Sequence, residues 1–75
     1  MSNMKTITVK AEYRNEQVTA TVGQFIGFKR DTEQYSKVKK IRFNGNGDAQ
    51  VCVDVTQGDY WGTNVWIDLN RCWND

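Results

Sequence analysis

Ile7, Val9, Ala11 and Tyr13 alternate with Thr8, Lys10 and Glu12, the period-two pattern of a strand that buries one face. Arg14-Asn15-Glu16-Gln17 gives a polar reversal, after which Val18, Ala20 and Val22 resume the alternation opposite Thr19 and Thr21. β-branched residues at nearly every step hold this backbone extended. Residues 4–22 are therefore expected to form an antiparallel hairpin. Residues 22–55 then read as three strands, joined first by a polar loop and next by a tight hairpin. Gly23 and Gly27 each mark either a sharp bend, with one strand continuing through Gly23, or a close backbone approach. In residues 30–36 only Tyr35 is apolar, which predicts an exposed loop with room for a short helical turn capped by Asp31 or Thr32.

Val38 is out of phase with Ile41 and Phe43, so one inserted residue near Lys39-Lys40, a β-bulge, would restore the parity. Asn44-Gly45-Asn46-Gly47 supplies the positive φ angles of a two-residue hairpin turn. Beyond it Val51, Val53 and Val55 share one face and Gln50, Cys52 and Asp54 the other, which sets Cys52 outside the main core. Thr56-Gln57-Gly58-Asp59 is a second turn. Residues 64–69 form the last strand, with Val65, Ile67 and Leu69 inward and Trp66 and Asp68 outward. The closing Asn70-Arg71-Cys72-Trp73 fits a single helical turn that plugs one end with Trp73. Five or six short strands, no proline and no long helical pattern in 75 residues describe one all-β domain, a small antiparallel barrel or sandwich.

Gly27-Phe28-Lys29, Asp31, Glu33-Gln34-Tyr35, Val38 and Ile41, then a turn, a valine-rich strand, Gly58-Asp59-Tyr60 and Arg71-Cys72-Trp73 resemble a group of short uncharacterised proteins of tailed bacteriophages. The resemblance covers residues 22–73 and implies a KOW-like or SH3-like barrel, to which residues 4–22 add a hairpin. It implies no particular activity. Gly58-Asp59-Tyr60-Trp61 is also similar to an element of signalling SH3 domains, but their tyrosine-rich motif and pocket proline are missing, which argues against polyproline binding.

A chain of this length supplies only about 3–5 kcal/mol of net stability and no deep catalytic cavity. It contains no histidine, so neutral-pH acid–base work would need a strongly shifted carboxylate, lysine or cysteine, and a cysteine nucleophile would lack its imidazole partner. No phosphate loop follows Gly45, Gly47 or Gly58. Two cysteines without histidine cannot complete a zinc site. These features predict a non-enzymatic protein without cofactor or metal. With no apolar segment long enough to span a bilayer and no leader pattern, a cytoplasmic protein with unpaired Cys52 and Cys72 is expected.

The formal charge of +1 is unevenly spread: residues 29–43 carry six cations against two anions, and residues 44–75 one cation against five anions. This asymmetry either marks a bipolar recognition surface or reflects ion pairing between neighbouring strands. Two groups stand out as candidate sites. Lys37, Lys39, Lys40 and Arg42 could track phosphates while Tyr35 or Phe43 stacks on a base. Tyr60, Trp61, Trp66, Asp59 and Asp68 form an aromatic-acidic group suited to a protein partner, a cation or a flat ring. Parity sends Trp66 outward unless the N-terminal hairpin covers it, whereas Trp61 and Trp73 are expected in the core or as a plug. The leading expectation is a phage-encoded module that attaches to a host protein in the host cytoplasm and modulates or inhibits it. The alternatives are a sponge for a nucleotide-type small molecule and an accessory nucleic-acid-binding barrel, with a second copy of the chain as a further partner for Trp66.

Overall fold

The computed structural model describes residues 5–12 and 16–74. Met4, Tyr13, Arg14 and Asn15, placed by the sequence at the start and tip of the N-terminal hairpin, lie outside these residues. Among the described residues seven strands follow in order: β1 Thr6–Lys10, β2 Gln17–Thr21, β3 Phe25–Arg30, β4 Thr32–Lys37, β5 Lys40–Phe43, β6 Ala49–Val55 and β7 Gly62–Asp68. A single 3₁₀ turn, Leu69–Arg71, follows β7, where one helical turn is expected from the sequence. The chain is all-β and antiparallel, but its ladders form three separate sheets, β1-β2, β3-β4 and β5-β6-β7, with no closed barrel among the described residues.

The N-terminal hairpin forms with Val9 opposite Val18 and Ile7 opposite Ala20, and its outer face carries Thr6–Thr21 and Thr8–Thr19 hydroxyl pairs. Val22 does not continue the inward row. It is exposed, because the chain turns at residues 22–24 around Gly23, whose φ of 92° ends β2 and separates it from β3. The hairpin between β5 and β6 lies where Asn-Gly chemistry places it, with a three-residue loop instead of two. The Gly47 N–H donates to the Asn44 carbonyl, the Asn44 N–H to that of Asp48, and the Asn44 side chain accepts from the Asn46 and Asp48 N–H groups. The positive φ falls on Gly47, at 84°, as a type I turn with a left-handed third residue requires.

The polar stretch expected to be a loop is strand β4. Asp31, at φ 69°, reverses the chain on its own between the paired Arg30 and Thr32, so neither Asp31 nor Thr32 caps a helical turn. β4 escapes hydrophobic pattern reading because its inward side chains are Thr32, Gln34 and Ser36. Gln34 is only 2% exposed. Its Nε2 lies within hydrogen-bond distance of the Arg30, Thr32 and Gln57 carbonyls, and its Oε1 accepts from the Thr56 and Gln57 N–H groups. Ser36 Oγ accepts from the Asp54 N–H. Side chains thus replace strand pairing where β4 crosses β6.

Residues 38–39 form a break between β4 and β5 and not a bulge within one strand; the one register shift between named strands lies opposite Val53–Val55, where β7 carries an extra residue between Gly62 and Val65. The break lets Val38 enter the core while Lys39 and Lys40 stay outside. That core comprises Val18 and Ala20 from β2, Ile26 and Phe28 from β3, Val51, Val53 and Val55 from β6, and Ile67, Leu69 and Cys72. Ile41 packs partly against it, whereas Phe43, in the same phase, projects beyond it and is exposed. Cys52 lies outside this cluster as parity requires, yet it too is only 2% exposed.

Candidate partner-binding surfaces

The basic run divides between two sheets. Lys37 stands on the outer face of β3-β4, with its ammonium 6.0 Å from the Phe25 ring centroid. Lys39 is tied to Asp54 at 2.7 Å and to the Asn64 side chain at 3.1 Å, and this pairing holds the Asp54 carboxyl below its ordinary pKa, helped by the Asn64 N–H. Lys40 and Arg42 share the outer face of β5-β6-β7 with Gln50, Cys52, Trp66 and Asp68. Along this face Arg42 donates to Gln50 and Gln50 donates to Asp68. The four cations therefore make no single phosphate track, and cross-strand pairing accounts for Lys39.

The aromatic-acidic group is also divided. Tyr60 and Trp61 sit in the β6–β7 loop, 64% and 72% exposed, so Trp61 is neither core nor plug. The loop is held by Gln34 at Gln57 and by Asp31, whose carboxylate accepts from the Asp59 N–H. Trp66 stands apart from them on the outer face of β5-β6-β7, beyond Asn64, whose φ of 55° interrupts the extended run. It is half-buried with Arg42, not the N-terminal hairpin, placed over its ring, the guanidinium carbon 4.0 Å from the centroid. Trp73 does act as a cover. Its N–H and carbonyl bridge to those of Gly27, its indole lies directly over Gly27, and its Nε1–H donates to the Tyr35 hydroxyl.

The sequence reading omits Phe25. Parity opposes it to Ile26 and Phe28, which both enter the core, and leaves it 64% exposed on the outer face of β3. With Val22, Tyr35, Lys37 and Thr56 it lines an open groove of about 570 Å³ between the β2–β3 turn, β4 and the end of β6. A second cleft, of about 250 Å³, joins Lys29 and Arg30 from the end of β3 to Trp66, Ile67 and Asp68 of β7 and to Arg71. The outward alternation of Lys29 was a usable signal for it. The juxtaposition of β3 with β7 was not, because it arises from packing between sheets.

Cys52 and Cys72 are both free and both buried. Burial, and secondarily the Asp68 carboxylate, push the Cys72 thiol up to about 12, which leaves almost no thiolate at neutral pH. Native protein is expected to resist iodoacetamide while denatured protein takes up two adducts by intact mass. Rapid native labelling at either position would contradict this burial. No helix is long and apolar enough to cross a membrane, and no group of three acidic or thiol ligands converges on a metal position among the described residues. Comparison with known protein families, curated proteins and solved structures finds no match.

Proposed function

We propose that the chain is a non-enzymatic binding module that attaches to a partner protein and alters its behaviour. The observation that carries this reading is the exposure of Phe25, Tyr35, Phe43, Tyr60 and Trp61, five of the eight aromatic residues among those described. Large rings left in water are costly for a small monomer, and Tyr and Trp are the residues that most often anchor interfaces. The principal contact is the groove floored by Val22, Phe25 and Tyr35, with Tyr60, Trp61 and Asp59 supplying a second patch. Asp54 in the groove wall is held below its ordinary pKa, the reverse of what a general acid or base at neutral pH requires. The resemblance of residues 22–73 to tailed-phage proteins favours a host cytoplasmic protein as partner, inhibited or redirected by the attachment. The finer reading as an SH3-like barrel is supported by the way Gln34 and Ser36 bridge β4 to β6.

Affinity capture from host lysate, followed by titration of the retained protein, tests this reading. A Phe25→Ser/Trp61→Ser variant alters exposed side chains only, so its melting is expected to stay within about 0.5 kcal/mol of wild type. Its affinity should fall by at least about 2 kcal/mol, the scale of an interface anchor. Equal retention by wild type and variant, or no stoichiometric partner for either, would remove both aromatic surfaces from consideration.

A further inference from the structure

The cleft beside Trp66 has a different chemistry from the aromatic groove. Its lining holds three cations, Lys29, Arg30 and Arg71, against one anion, Asp68, which already accepts from Gln50. Arg71 is paired with Glu12 at 3.2 Å, so Lys29, which stands opposite Glu33 in the β3–β4 ladder, and Arg30 are the cleft cations for which no side-chain ion pair occurs among the described residues. β7 is the edge strand of its sheet. The Asn44–Asp48 hydrogen bond and the Asp54–Ser36 hydrogen bond fix even-numbered residues of β6 as pointing their main-chain groups away from β7. Val51 and Val53 therefore bond to Ile67 and Val65, and Trp66 presents its own N–H and carbonyl to the open edge that forms the cleft wall. Arg42, which does not line the cleft, covers one face of the Trp66 ring at 4.0 Å and adds a fourth positive charge beside it.

We propose that this cleft binds a nucleoside phosphate, with the ring against Trp66 and the main-chain edge of β7, and the phosphate between Lys29 and Arg30. An aromatic wall, unpaired main-chain donor and acceptor groups, and two unpaired cations are the three features that such a ligand uses. A free nucleotide and a nucleotide unit of a single strand share this chemistry. The site is independent of the Phe25 groove.

Calorimetric titration of the full chain with ATP and, separately, with a short oligothymidylate distinguishes the two sources. Heat with ATP alone assigns a free-nucleotide site, and heat with the oligonucleotide assigns a strand site whose affinity falls steeply with salt; either supports the cleft. The Lys29→Ala/Arg30→Ala variant, altered only at exposed side chains, should bind the active ligand at least about tenfold more weakly, because two charge-assisted hydrogen bonds are lost. Phe25→Ser should leave this binding unchanged, so failure here is separable from failure of the partner-protein reading. Three results would overturn the proposal: no heat with either ligand up to about millimolar concentration, undiminished binding by the Lys29→Ala/Arg30→Ala variant, or tripolyphosphate binding as tightly as ATP, which would leave the ring without a role.

Discussion

Replacing Gln34 by leucine is expected to cost about 3 kcal/mol and to lower the melting temperature by roughly 12–24 °C. Leucine has similar volume but offers no polar atom, so it abandons three carbonyls and two N–H groups that meet the buried amide. The effect is large because main-chain groups left without a partner in this part-buried site cost desolvation, whereas the hydrogen bonds themselves contribute less. A chain of 75 residues has only about 3–5 kcal/mol to lose. Gln34→Glu sharpens the test. Its carboxylate retains the acceptor for Thr56 and Gln57 but sets negative charge against three carbonyls, so its folded pKa is raised. A raised carboxyl pKa means that the native state holds the proton longer than the unfolded state, and stability relative to wild type falls as pH rises from about 4 to about 7. A Gln34→Leu protein that melts within about 3 °C of wild type would refute the central role of this amide. The loop carrying Tyr60 and Trp61 depends on it as well, and partner capture should weaken even where the variant remains folded.

That Gln34 was read as part of a solvent loop shows where hydrophobic patterning stops. β1, β2, β6 and β7 were legible because each places apolar residues on one face and polar residues on the other, so parity alone assigns Val18, Val51, Val53 and Ile67 to the core. β4 has the same geometry with a polar inward row, and the one-residue reversal at Asp31 that pairs it with β3 carries no turn signature in the sequence. Parity also recorded an irregularity at Val38 without distinguishing a bulge from a change of sheet. On the functional side, the outward direction of Trp66 and Asp68 was readable, and the hairpin register set Arg42 in their face. The sequence offered no means of seeing that Lys29, Arg30 and Arg71 approach the same tryptophan from other elements. Trp61 departs from the core or plug position expected of it because it lies in the short β6–β7 loop outside the packed strands.

Gly27→Ala is the second substitution expected to have a large effect, although an added methyl in a strand is normally stabilising by a few tenths of a kcal/mol or more. A Cβ at position 27 would collide with the Trp73 Nε1 and stand 2.6 Å from Cε2. The indole must leave. With it go its hydrogen bond to the Tyr35 hydroxyl, the edge-to-face contact with the Tyr35 ring, and the paired main-chain bonds of 2.9 Å between residues 27 and 73. Three lost hydrogen bonds at about 1 kcal/mol each outweigh the backbone gain, which gives a net cost of about 2–3 kcal/mol and a red-shifted tryptophan emission. The tail that follows Trp73 would loosen too, since Asn74 is clamped to both main-chain groups of Thr19. A double-mutant cycle isolates the cause. If displacement of Trp73 is the whole effect, Gly27→Ala costs nothing further in a Trp73→Ala background, and the two changes are strongly non-additive. Additive costs would mean that the methyl group disturbs β3 itself, and that the tryptophan does not require glycine beneath it.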